Sequence, residues 1–102
     1  MFHGLSAFPI TPADSRGVVD AGGVASLCPR LVEARVDSIG LLGSTGTYTY
    51  LTREERRRTV RAAIGAVAGR TPVIVGIGAL RTDAVLDLAR TACCSRRCPT
   101  RR

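Results

Sequence analysis

The sequence contains no lysine: all fifteen of its basic residues are arginine. This absence excludes the phosphate-binding loops that depend on a lysine. The chain also lacks tryptophan and any run of 18 or more apolar residues, so no transmembrane helix is predicted and no membrane partner is expected. The first residues lack the basic region and long apolar stretch of a signal peptide, and we expect a cytoplasmic location.

Acidic residues are too few to balance the arginines, which gives a net charge of +7. The charge is unevenly distributed, because residues 1–92 carry a net +3 and residues 93–102 carry four arginines and no acid. Aromatic residues make up only 4% of the chain, so base stacking has little support. We therefore expect no specific nucleic-acid partner, although the basic tail could contact RNA phosphates.

Histidine and cysteine are poorly arranged for metal binding. The single histidine, His3, is ninety residues from three clustered cysteines, and a zinc site usually needs four ligands in two pairs. A secreted disulfide framework would require a signal sequence and more widely spaced cysteines. The sequence therefore predicts neither a metal site nor a structural disulfide among Cys28, Cys93, Cys94 and Cys98.

Hydrophobic residues, 45% of the chain, predict an alternating series of strands and helices. The predicted strands are 3–8, 38–43 and 72–77, and the predicted helices are 21–34, one beginning at 53, and 83–92. Strand starts about 35 residues apart indicate repeated βα units in a parallel sheet with right-handed crossovers. This periodicity fits an open doubly wound sheet equally well.

Local signals mark the helix ends. Asp20 is a predicted N-cap, and Thr52 with Glu55 three residues later predicts a capping box. Pro29 removes a hydrogen bond inside the first helix and predicts a kink or break near Ser26. The charged run at 53–58 is interpreted as the solvated start of the second helix.

The second strand ends in a loop of small, hydroxyl-bearing residues, Gly43-Ser44-Thr45-Gly46. Its backbone N–H groups and two hydroxyls could hold a carboxylate or a phosphate, but a plain βα turn has the same composition. Gly76-x-Gly78 begins like a dinucleotide-binding loop, yet an arginine stands where the third small residue belongs. A small anion- or nucleotide-binding α/β module therefore remains open.

Three segments in order resemble the dihydrodipicolinate synthase and N-acetylneuraminate lyase family: AFPITP at 7–12, GSTG followed by LTREER at 43–56, and PVIVGIG at 72–78. Members of that family are class I aldolases on a (β/α)8 barrel. The resemblance runs from Gly4 to Ala92. It implies an α/β fold, the N-terminal three βα units of a (β/α)8 TIM barrel, incomplete because a whole barrel needs about 250 residues.

The resemblance also implies a substrate, pyruvate or another 2-oxo acid, bound as a Schiff base to a lysine from a later strand, with no cofactor and with a homo-oligomeric parent enzyme. Carried over, Ser44 is the catalytic relay hydroxyl, and Ser44, Thr45 and Gly46 bind the substrate carboxylate. Tyr48 and Tyr50 do not match the family's catalytic tyrosine and are interpreted as loop packing. Since the chain has no lysine, we expect a truncated family member that is inactive alone.

Several positions depart from the family pattern. Thr47 stands where the family usually has glutamate, and Arg35 stands where a helix-ending glycine is expected. Either Arg35 adopts a left-handed conformation at some cost or the helix ends differently. Residues 93–102 form a basic Cys/Arg tail, so we predict a partial barrel segment over 1–92 followed by an out-of-frame or disordered tail. The exposed strand edges of such a segment predict an aggregation-prone product.

Overall fold

A computed structural model describes residues 3–96, in which three short parallel strands form one sheet. The strand order is β1-β2-β3, and both neighbouring pairs are parallel. The predicted alternation of strands and helices is confirmed. The elements in chain order are β1 (Ser6–Ala7), α1 (Ala21–Glu33), β2 (Ser38–Leu41), α2 (Arg53–Val67), β3 (Val73–Val75) and α3 (Thr82–Arg96), with a 3-10 turn at Tyr48–Tyr50.

The hydrophobic core lies between the central strand and the helices. Ile39 is fully buried and Leu41 is 4% exposed, and both belong to one cluster with residues of α1 and α2. Since α1 packs on α2 and α2 packs on α3, the three described helices cover one side of the sheet. The cluster is completed by Val19, Val24, Cys28, Leu42, Leu51, Val60, Ala63 and Val67.

The other side of the sheet carries a different set of side chains, because residues alternate between the two faces of a strand. Ser38 and Gly40 of β2 lie on this side, and the hydroxyls of Ser6 and Ser38 are hydrogen-bonded to each other. The ring of Phe8 occupies the space that a side chain at Gly40 would need. Phe8 itself stays 54% exposed, whereas Ser38 and Gly40 on the same side of the sheet are buried.

Helix α1 begins as the sequence predicts, because an Asp20 carboxylate oxygen accepts a hydrogen bond from Gly23 N at 3.0 Å. The predicted break near Ser26 is not found: α1 is continuous over Ala21–Glu33 with Pro29 inside it. Val24 and Cys28 are both buried and hold the helix against the core just before the proline. Their packing offsets the single hydrogen bond that the proline removes.

At the end of α1, the left-handed alternative is confirmed for Arg35, whose φ is 58°. Its N–H donates to Val32 O at 3.0 Å, and the N–H of Val36 reaches Leu31 O at 3.5 Å. These are the two hydrogen bonds of a Schellman motif, in which the left-handed position is usually glycine. An arginine there is strained.

We predict that Arg35→Gly raises the free energy of unfolding by about 1 kcal/mol, because glycine adopts positive φ without the clash of a Cβ atom. Urea unfolding followed by circular dichroism measures the change. Arg30→Gly, which also removes an exposed arginine but lies within the helix, is the matched control and should lower stability by about 1 kcal/mol. Destabilisation by Arg35→Gly would show that the arginine side chain contributes more than its backbone strain costs.

Only one half of the predicted capping box is found at the start of α2. Thr52 Oγ1 accepts a hydrogen bond from Glu55 N at 3.2 Å, as expected. The Glu55 carboxylate, however, accepts from Val19 N at 2.7 Å and lies 3.2 Å from Arg58 Nη1. Val19 is 2% exposed, and its buried N–H needs an acceptor. Glu55 therefore joins the β1–α1 connection to α2.

The strands and helices differ from the predicted ones mainly in their length. All three strands are shorter than the predicted 3–8, 38–43 and 72–77. Helix α3 starts one residue earlier than predicted and continues past residue 92 to Arg96. Nothing in residues 93–96 breaks a helix, and the next proline is Pro99. The rest of the predicted tail, including Cys98, lies outside the described residues.

Two cysteines differ sharply in their surroundings. Cys28 is 1% exposed within the core, and this burial raises the pKa of its thiol, whereas Cys93 is exposed. Since the thiolate is the reactive form, we predict that iodoacetamide at pH 8 labels Cys28 at least about tenfold more slowly than Cys93. Peptide mapping by mass spectrometry measures both rates. Equal rates in the native chain, without urea, would contradict the buried position of Cys28.

Candidate functional site

The hydroxyl-rich loop lies at the carboxyl end of β2, where the chain leaves the sheet. Leu42, directly after the strand, is buried and has a φ of 58°, so the backbone turns sharply there. Thr47 also has positive φ, and its N–H donates to Ser44 O at 3.1 Å, which closes the turn. Because all three strands are parallel, this loop and the loops after β1 and β3 lie at the same end of the sheet, where the carboxyl ends of the strands meet.

Gly46 is the buried part of this turn. A Cβ atom at Gly46 would lie 2.9 Å from Leu42 N and 3.0 Å from Leu42 Cα, which are backbone atoms that cannot rotate away. Only glycine fits this position without a shift of the loop. Ser44 and Thr45, in contrast, are exposed, and neither hydroxyl bonds to another residue between positions 3 and 96. The predicted site residues thus form one tight turn with two free hydroxyls.

Tyr48 connects this loop with the end of β3, as the packing role predicts. Its ring is partly buried, lies 5.2 Å from the Arg56 guanidinium carbon, and fills the space beside Gly78. For Tyr50 the packing prediction is wrong, because its side chain is 82% exposed. Tyr48 and Tyr50 are two positions apart in a 3-10 turn, which has three residues per turn, so their side chains leave the turn in different directions.

Arg56 is the residue near the site that the sequence analysis missed. Its Nη1 donates to Gly78 O at 2.9 Å, and its Nε atom is buried without a partner among residues 3–96. Arg56 therefore holds the loop after β3 against α2 rather than facing solvent. Its position in the sequence could have indicated this inward orientation. Arg56 is four residues before Val60, so it lies on the same face of α2 as the buried residues Val60 and Ala63.

The Gly76-x-Gly78 pattern has a packing explanation. A Cβ atom at Gly76 would collide with the backbone carbonyl oxygen of Leu42, and one at Gly78 would lie 2.9 Å from Tyr48 Cε2. Both glycines allow the ends of β2 and β3 to approach each other. The pattern therefore gives no support to a dinucleotide loop, and the nucleotide-binding alternative is not favoured.

Residues 3–96 contain neither a metal-binding cluster nor a membrane-spanning helix. No three side chains of histidine, cysteine, aspartate or glutamate lie close enough there to share a metal ion. No helix in that range is long and apolar enough to cross a bilayer.

The profile of the Dihydrodipicolinate synthetase family matches residues 1–95 of the 102. The chain belongs to this family. Among curated members, the 4-hydroxy-tetrahydrodipicolinate synthases of Salinibacter ruber and Thermus thermophilus are 36% and 38% identical over 92 residues, which is 90% of this chain. In both cases the match covers 30% of the relative, so this family member spans about a third of the length of its relatives.

Solved structures of the family superpose closely on the chain. A dihydrodipicolinate synthase from Agrobacterium tumefaciens is 56% identical, with a TM-score of 0.87 over 90% of this chain and 31% of that one. YagE from E. coli K12, solved in complex with pyruvate, is 33% identical with a TM-score of 0.86, over 93% of this chain and 32% of YagE. The N-acetylneuraminate lyase from Mycoplasma synoviae is 30% identical with a TM-score of 0.79, over 89% and 32%.

These neighbours are (β/α)8 TIM barrels, and they confirm the predicted fold class. The three βα units of this synthetase-family chain correspond to an incomplete part of the barrel. In TIM barrels the active site lies at the carboxyl ends of the strands, which is where Ser44, Thr45 and Gly46 are found.

Proposed function

We propose that the loop of Ser44, Thr45 and Gly46 is the carboxylate-binding half of a 2-oxo acid site in a class I aldolase. The observation that carries this proposal is the position of the loop: a tight turn with two free hydroxyls at the carboxyl end of β2, in a chain of this family. Pyruvate, which is bound in the YagE structure, has the carboxylate that such donors would hold.

In this proposal the loop residues have separate roles. Thr45, through its hydroxyl and N–H, and Gly46, through its N–H, donate to the substrate carboxylate, and glycine lets the backbone come close. Ser44 is the relay hydroxyl, which accepts a proton on one side while it donates one on the other. Such donors, fixed before the substrate arrives, stabilise charge without reorganising.

The covalent step requires an amine that this chain lacks. In a class I aldolase a lysine nitrogen attacks the C2 carbonyl of the 2-oxo acid, water leaves, and the resulting iminium withdraws electrons while the adjacent carbon–carbon bond forms or breaks. The 102 residues contain no lysine, so the chain alone should not form this adduct. We also propose that the complete enzyme is a homo-oligomer and that it is located in the cytoplasm.

A graft tests the proposal. In the chimera, residues 3–92 of this chain replace the matching part of the Agrobacterium synthase, which is 56% identical. After incubation with pyruvate and borohydride, intact-mass spectrometry should find one reduced pyruvate on the chimera and none on the 102-residue chain. The unmodified synthase is the positive control. A chimera that folds with the circular dichroism of the synthase but forms no adduct would refute the proposed site.

A further inference from the structure

Phe8 brings an aromatic ring to the end of the sheet that carries the hydroxyl-rich loop. It follows directly after Ala7, the last residue of β1, and therefore lies at the carboxyl end of that strand. Because it is two residues after Ser6, its side chain is on the side of the sheet away from the helices. Pro9 comes next and restricts the Phe8 backbone to extended conformations. The strand and the proline together fix where the ring is placed.

The ring lies over β2 and reaches the start of the loop. It occupies the space that a side chain at Gly40 would need, and a Cβ atom at Gly43 would lie 3.7 Å from Phe8 Cδ1. Gly40 belongs to β2, and Gly43 directly precedes Ser44. Since neither glycine has a side chain, the ring fits between the strand and the loop. Phe8 therefore borders the turn that presents the hydroxyls of Ser44 and Thr45.

Only part of the ring is used in this packing. Ser38 is 1% exposed and Gly40 is buried, whereas Phe8 is 54% exposed. The exposed part of the ring is apolar, and the two exposed loop hydroxyls lie at the same end of the sheet. Small-molecule sites combine apolar and aromatic walls with a few polar groups that fix orientation. Phe8 provides such a wall, and the loop provides the polar groups.

We propose that Phe8 is a specificity-determining residue of this site and limits its substrate to 2-oxo acids as short as pyruvate. The inference rests on the proposed function, in which the loop holds the substrate carboxylate. The core fills the helix side of the sheet, so a substrate held by the loop extends over the other side, where Phe8 lies. A methyl group can pack against the ring. A longer chain would collide with it, because the backbone of Gly40 behind the ring leaves no space for it to move away.

A purely structural role for Phe8 would give a different result. If the ring only covered Gly40, a smaller side chain would lower stability without changing which 2-oxo acid reacts. A competition between two acids separates these roles, because both acids meet the same protein molecules. Loss of folded protein lowers both products equally and cancels in their ratio.

The chimera with the Agrobacterium synthase tests the inference in a mixture of equimolar pyruvate and 2-oxobutanoate with borohydride. Intact-mass spectrometry, sampled before either adduct saturates, separates the two reduced adducts, which differ by one methylene. The chimera with Phe8 should carry mainly the pyruvate adduct. Phe8→Ala should raise the ratio of 2-oxobutanoate to pyruvate adduct by about tenfold or more, the effect of one methylene in an apolar site. Phe8→Leu, which keeps an apolar side chain over Gly40, should raise it by about threefold and gives the same test if Phe8→Ala does not fold.

Leu5→Ala is the matched control, because Leu5 is a 67% exposed apolar residue at the amino end of the same strand; the ratio should stay within about twofold. An unchanged ratio in both Phe8 variants, with both adducts formed, would overturn the inference and leave the proposed function standing. An equal shift in Leu5→Ala would also overturn it, since the effect would then be a general loosening of the strand. A chimera with Phe8 that forms no adduct with either acid would refute the proposed function, and this inference with it.

Discussion

Ser44→Ala in the chimera should lower kcat by about a hundredfold or more, because it removes the hydroxyl proposed to relay a proton to the reacting substrate. Thr45→Ala should act mainly on KM, since its hydroxyl is proposed to contact only the unreacting carboxylate. Both side chains are exposed in the isolated chain, so neither change should alter its folding. Steady-state kinetics with pyruvate and an aldehyde acceptor measure both constants.

Thr49→Ala is the matched control for these variants. Thr49 is also an exposed hydroxyl residue close to the loop, but it lies in the 3-10 turn beyond Thr47. Its loss should change kcat by no more than about twofold. If Ser44→Ala behaves like Thr49→Ala, Ser44 has no part in the proton relay, and the loop is a simple βα turn.

Ile39→Ala should abolish the cooperative unfolding transition of the isolated chain. Ile39 has no exposed surface, lies in the central strand and belongs to the core cluster that includes residues of α1 and α2. Truncating a buried isoleucine costs about 2–5 kcal/mol, and about 5 kcal/mol is the lower end of stability for complete domains. Urea unfolding followed by circular dichroism measures the loss.

Ile10→Ala is the control, because it removes the same atoms from a side chain that is 62% exposed. Its effect should stay within about 0.5 kcal/mol. A chain whose stability falls by less than about 1 kcal/mol on Ile39→Ala would not have its core where the structure places it.

Local sequence signals predicted the elements of this fold because each acts over a few residues. Asp20 and Thr52 accept their capping hydrogen bonds within the first turn of each helix. Arg35 adopts the left-handed conformation that its position after α1 requires. The alternation of elements predicted a parallel sheet, but it could not separate an open sheet from a barrel. Likeness to known barrels decided that question.

Features that depend on distant residues could not be predicted in this way. Glu55 leaves the capping box because Val19, 36 residues earlier, brings a buried N–H to it. The spacing of Arg56 before Val60 places it on the packed face of α2, but its partners, the Gly78 carbonyl and the Tyr48 ring, come from other parts of the chain. Such contacts exist only after α2 has packed on the sheet. The tight turn at Gly46 likewise depends on the left-handed backbone of Leu42.

The origin of residues 93–102 stays a prediction. The family profile continues to residue 95 and α3 continues to Arg96, so the change in sequence falls within a helix. Reading the coding DNA after residue 92 in all frames tests the proposed frameshift. Codons for a fourth βα unit in another frame would support it, and none in any frame would contradict it.

Amide hydrogen exchange at Val73 and Val75 tests most directly whether the 102-residue chain is an unfinished barrel. In the isolated chain both amides should exchange at least about tenfold faster than the amide of Gly76, which is bonded to Leu41 O. In the chimera, where a fourth strand covers the edge, both should become protected. Slow exchange of Val73 and Val75 in the isolated chain would show that its sheet edge is already covered, and would contradict this account.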